Sequence, residues 1–155
     1  SSNVDMPTMP LDILSVFSND NSVVVFDVGG DDDGALALGQ YKQYFDKYGY
    51  EMHFIVNTKR PLTRTNDELI EIAERIESAS RLKFTDIYNN TNLSDQTDET
   101  TLFSGYDEIK MLSKKMGIVI KKNCGIDKAL SNVPTNLKDT VFRMNICILR
   151  PWEIQ

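Results

Sequence analysis

Short apolar runs, each bounded by polar or glycine residues and separated by stretches of helical periodicity, constrain this chain more than any single motif. Val23 to Val28 is apolar except for Asp27, which is how a strand buried on both faces of a parallel sheet reads. Met52 to Val56, Phe84 to Tyr88 and Ile118 to Ile120 are further runs of strand length, and they predict three more strands. Phe142, Met144, Ile146 and Ile148 alternate with Arg143, Asn145 and Cys147, the period of a half-exposed final strand. Between the runs the spacing changes. Leu36, Leu38, Tyr41 and Phe45 fit one helix from Gly34 that closes near Tyr48 and Gly49. Thr65 with Glu68 forms a capping box ahead of a stripe at Leu69, Ile72, Ala73, Ile76 and Ala79. A polar loop to Thr100 leads into a helix through about Met116, and a helical turn is expected at Asp127 to Leu130. A brief helix is expected at Leu11, Leu14 and Phe17. Strand and helix repeated at this length predict an α/β fold: a three-layer, mostly parallel sheet with flanking helices.

Composition fits one domain over residues 1–155, since 41% of the residues are hydrophobic and 26% charged. A run of eighteen apolar residues is absent, as is a charged flank followed by an apolar core, so the expectation is a cytoplasmic chain without stable membrane insertion. A net charge of −6 argues against nucleic acid as a partner, because phosphate contacts need clustered Lys and Arg. Cys124 and Cys147 lack CxxC spacing and read as reduced core residues, and the single His53 builds no Cys/His cluster.

In an open parallel sheet, ligands sit at the carboxyl ends of strands. Asp27, Asn57 and the pair Asn89-Asn90 fall there. A carboxylate at a buried strand tip can hold hydrated Mg²⁺, and a glycine just after it lets a backbone N–H approach a phosphate. Asp27 with Gly29 and Gly30 fits that use; it equally fits a helix cap followed by a turn. Asp31, Asp32 and Asp33 are expected at a helix start, where acids meet the positive end of the dipole. The Asn amides offer a donor and an acceptor for a purine edge, and Asn also favours turns for its own reasons. The loop from Lys59 to Arg64 concentrates positive charge, to face phosphate or solvent. The phosphate cradle GxxxxGK[ST] is not present, and no Gly-Lys pair occurs in the chain, so as given it should bind a nucleoside triphosphate poorly.

The segments VVVFDVGGDDDGALALGQYKQYF, VNTKRPLTRT and IYNNTNL, in this order and closing with RPW, resemble the MinD/ParA-like ATPases of the CobQ/CobB/MinD/ParA nucleotide-binding group. The resemblance runs from about Asn3 to Trp152. It implies a P-loop NTPase-like fold whose P-loop strand is missing, and a chain that is the C-terminal portion of a longer ATP-dependent switch. By the same resemblance Asp27 would be the Walker B carboxylate on Mg²⁺. Gly29 and Gly30 would approach the γ-phosphate, and Asn89 or Asn90 the adenine of ATP. The implied partners are an N-terminal P-loop segment and a second copy in a homodimer. The fragment itself should be inactive. If it folds, Val23 to Val28 and Met52 to Val56 are expected to pair directly, or to be bridged by a second chain. A non-catalytic α/β module that self-associates is the alternative. A receiver-like domain is a poorer fit, because that fold ends its third strand in Asp where this chain has Asn.

Overall fold

The computed structural model describes residue 17, residues 23–30 and residues 32–147, without the side chains of Asp32 and Asp33. The chain divides into two compact units, Ser1–Met52 with Glu71–Phe84, and His53–Ile70 with Thr85–Gln155. The expected helix at Leu11 to Phe17 and the end of the last strand at Ile148 lie outside the described residues.

The second unit holds a four-stranded, all-parallel sheet in the order β1-β2-β3-β4, comprising His53–Val56, Asp86–Asn89, Val119–Gly125 and Val141–Arg143. Helices flank it, so the fold is α/β. Three of the expected strands are there, and β3 runs on past Ile120 through Lys121, Lys122 and Asn123 to Gly125. Register explains the alternation of burial. Phe54 pairs with Ile87 and Val56 with Asn89, and these four are buried, whereas Ile55, paired with Tyr88, is 54% exposed. Between β2 and β3 the register slips at Ile87/Tyr88, where Lys121 is the additional residue of a bulge. The last strand is only Val141–Arg143, and the alternation after it forms no ladder, leaving Ile146 and Cys147 exposed. Cys147 is therefore not a core residue, whereas Cys124 is buried.

Helices α1 (Asp32–Gly39) and α2 (Lys42–Tyr48) replace the single expected helix. At Gly39, the last residue of α1, a Cβ would come within 2.8 Å of the Ala79 carbonyl oxygen, and the Gly39 carbonyl accepts from the Arg81 guanidinium. Leu36 points outward while Ala35, Ala37 and Leu38 are buried. Gly49 closes α2 at φ 80°, its N–H bonded to the Phe45 carbonyl at 2.9 Å. Helix α3 (Asn66–Ser80) begins as expected: the Thr65 N–H donates to Glu68 Oε2 at 2.9 Å, and the Glu68 N–H to Thr65 Oγ1 at 3.3 Å. The helix expected to run through Met116 is again two, α4 (Glu99–Phe103) and α5 (Tyr106–Met116), with Gly117 in the left-handed conformation ending α5. Ile109 and Leu112 of α5 are buried and the helix lies along β2 and β3. The turn at Asp127–Leu130 is a 3-10 helix.

A strand expectation also fails. Val23 to Val28 is not a strand. It carries no ladder, Val23 is 95% and Val25 86% exposed, and only Phe26 and Val28 reach the Leu38, Phe45 and Leu82 cluster. An apolar run becomes a strand only when a neighbour takes its N–H and C=O groups, and among the described residues no strand pairs with Val23 to Val28. The direct pairing of Val23 to Val28 with Met52 to Val56 is not formed.

Candidate functional site

Asn57 follows the last residue of β1, Asn89 ends β2, and Asn123, two residues short of the end of β3, is the register partner of Asn89. Parallel strands bring their carboxyl ends to one edge, so three amides separated by more than thirty residues in pairs meet there. Asn89 is fully buried; its Nδ2 donates to the Leu102 carbonyl at 3.1 Å and to Asn123 Oδ1 at 3.0 Å, and its Oδ1 accepts the Thr91 N–H at 3.1 Å. Asn123 continues the chain by donating to Thr140 Oγ1 at 2.9 Å. Asn57 ties the loops after β1 and β2: its Nδ2 donates to the Asn92 carbonyl at 3.2 Å, and its Oδ1 accepts from the N–H groups of Lys59 at 3.0 Å and Asn92 at 3.2 Å. Thr58 and Thr91, both buried, share a 3.2 Å hydroxyl contact. Buried amides are costly unless paired; Asn89 and Asn123 are paired with each other, and Asn57 with backbone groups of Lys59 and Asn92.

Asn90 differs. Its N–H donates to the Val56 carbonyl at 2.8 Å and its carbonyl accepts from Asn92 Nδ2 at 2.7 Å, but its side-chain Oδ1 is buried without a hydrogen-bond partner. Such an acceptor costs about 1–3 kcal/mol if left unmatched.

Beside this edge lies a cleft of about 360 Å³, lined by Thr58, Lys59, Arg64 and Leu93 and, from the joint between α4 and α5, by Ser104, Gly105 and Glu108. Its walls are fixed in sequence terms. Thr63 Oγ1 donates to the Asn57 carbonyl at 2.6 Å and the Arg64 N–H to Glu68 Oε2 at 2.9 Å, which pins the basic loop at both ends. A Cβ on Gly105 would lie 2.2 Å from Thr58 Oγ1, so the α4–α5 joint approaches the loop as closely as it does only because residue 105 is glycine. The amides of Thr65 and then Arg64 hold the Glu68 carboxyl below its usual 4.5.

The chain gives no match to protein-family models, to curated proteins or to solved structures. The site is thus read from its own geometry.

Asp27, Gly29 and Gly30 lie in the first unit, exposed and outside any helix or strand, with a bend at Gly30, so Asp27 does not end a strand. Among the described residues, Asp27 belongs to no cluster of three carboxylate, imidazole or thiol ligands. Asp32 and Asp33 do open a helix, α1, while Asp31 lies outside the described residues. Sequence reading missed Asn123, Thr58, Thr91 and Gly105. Asn123 was hidden because the apolar run of β3 stops at Ile120 and lysines follow. It also missed the partner of His53: across the register pair His53↔Asp86, Nδ1 and the buried carboxylate are 2.6 Å apart, and Lys121 Nζ meets the other oxygen at 3.2 Å. This group sits at the amino-terminal ends of β1 and β2, away from the Asn edge.

Proposed function

We propose that the chain is the Walker B, switch II and base-binding portion of a MinD/ParA-like, ATP-dependent molecular switch. The observation that carries this reading is the Asn90 Oδ1: a buried acceptor without a partner, at the carboxyl end of a parallel sheet, where an exocyclic amine of adenine would match it. Asn89 supports Asn90 indirectly, since its own amide is committed to Leu102, Asn123 and Thr91 and fixes the strand end. The exposure of Asp27 leaves its carboxylate open to hydrated Mg²⁺, and a Cβ on Gly30 would meet nothing within 4 Å, so phosphate has room to approach. Bound Mg²⁺ supplies charge neutralisation to phosphate oxygens; the chain's own part is to hold the base and offer one carboxylate. The phosphate cradle comes, in this reading, from an N-terminal P-loop segment. A homodimer completes the switch, which works in the cytoplasm.

Isothermal titration with ATP and Mg²⁺ tests the reading in the 155-residue chain and in the protein extended through its upstream coding sequence. The extended protein should bind, Asn90→Ala should weaken it about tenfold, and the shorter chain should bind far more weakly than either. Tight binding by the shorter chain, or an extended protein indifferent to ATP, would overturn it. The second reading, a self-associating α/β interaction module, is favoured by the exposed Val23, Val25, Ile55, Val119 and Phe142. It predicts concentration-dependent mass in light scattering with no response to nucleotide.

A further inference from the structure

We infer that the cleft between the Lys59–Arg64 loop and the α4–α5 joint binds a small phosphorylated ligand that carries hydroxyl groups, with the chemistry of a sugar phosphate. This site does not rest on the adenine reading of Asn90.

The first observation is positive charge held in no ion pair within 4.0 Å, although the Arg64 guanidinium acts at longer range on the Glu68 carboxyl. Lys59 and Arg64 are exposed and line the cleft, and among the described residues neither makes an ion pair. In a chain with a net charge of −6, two cations converging on one concavity are an unusual concentration of positive potential. Arg offers a planar fork that matches phosphate oxygens, and Lys a compact point charge on a flexible stem.

The second observation is that the wall opposite holds a carboxylate. Glu108 lines the same cleft, and it pairs with neither cation within 4.0 Å. The loop is held back by its own bonds, Asn57 Oδ1 to the Lys59 N–H and Glu68 to the Arg64 N–H, and the α4–α5 joint is seated on Thr58 through Gly105. Opposite charges kept apart across an open cleft of about 360 Å³ leave each available to something placed between them. That volume is in the range of small-ligand sites, roughly 300–1,000 Å³. A bare anion would gain from the cations and be repelled by Glu108. A phosphate with hydroxyls attached uses both, because a carboxylate accepts strongly from O–H groups. Exposed Leu93 offers an apolar edge for a carbon skeleton.

The test is titration of the ¹⁵N-labelled 155-residue chain with ribose 5-phosphate, inorganic phosphate and ribose, followed by amide shifts. Saturable shifts are expected at Lys59, Arg64, Ser104, Gly105 and Glu108, with ribose 5-phosphate binding more tightly than phosphate and ribose weakest. The exposed side chains allow Lys59→Ala with Arg64→Ala to fold, which the dispersion of the same spectra verifies, and this pair should weaken ribose 5-phosphate at least tenfold. Glu108→Gln should leave phosphate binding equal or tighter and erase most of the preference for ribose 5-phosphate. Shifts that do not saturate, shifts that persist in the double variant, or a Glu108→Gln protein that keeps its preference would each overturn the inference. ATP binding in the extended protein has no bearing on these outcomes, so the two readings fail separately.

Discussion

Replacing Asn89 removes one amide and strands three partners. Asn89→Ala leaves the Leu102 carbonyl, Asn123 Oδ1 and the Thr91 N–H facing a dry gap, and a loss of about 2–4 kcal/mol is expected in urea unfolding followed by circular dichroism. Asn89→Asp should be no better, since a carboxylate then opposes two oxygens. The cysteines give a second expectation at this scale. Burial pushes the Cys124 thiol up to about 11, whereas Cys147 is exposed. A thiol reagent at neutral pH should therefore modify Cys147 alone in the folded chain and both cysteines in denaturant, as read by intact mass. Sequence alone could not separate these two residues. Each is an isolated cysteine without CxxC spacing, and only the ladder of β3 and the early end of β4 distinguish them.

At the scale of elements, the capping box of α3 was legible because every atom of it is local. Thr65 and Glu68 exchange bonds with each other's backbone regardless of what the rest of the chain does. Thr65→Ala should cost about 1 kcal/mol in thermal or urea unfolding. Glu68 adds a pH dependence of known sign. Its carboxyl is held below 4.5 in the folded chain, chiefly by the Thr65 amide and next by that of Arg64, so it binds protons less readily there than in the unfolded chain. Its contribution is complete above pH 4.5 and fades as pH falls through the lowered value. Melting temperatures of the native chain and of Glu68→Gln should therefore differ at neutral pH and converge in acid. The Val23–Val28 run was misread for the opposite reason. A buried-strand pattern records affinity for two neighbours without naming them, and a ladder partner is a property of distant sequence. The close approaches at Gly39 and Gly105 were missed on the same ground, since what a Cβ would strike is a carbonyl near Ala79 in one case and Thr58 in the other. The Asn edge was half legible: the strand ends stood out, but their mutual bonding depends on register.

For the whole molecule, the two units differ in how their backbone is secured. The sheet unit has three ladders, one of them with a bulge, and the first unit includes the segment 23–29, which has none. Hydrogen exchange should separate them, with the amides of Val24 to Gly29 exchanging first and those of β2 and β3 last. Uniform protection across both would mean that Val23–Val28 has acquired a ladder in solution.

The strand order carries a consequence for how such a sheet comes into being. Each strand pairs with the strand that immediately precedes it in the sequence, so the sheet can lengthen by accretion as the chain leaves the ribosome, without waiting for a distant segment to return. Growth in that manner proceeds away from β1. His53–Val56 is then the first strand of the sheet to be made and forms a ladder only when β2 follows it, so the order of synthesis and the order across the sheet are the same.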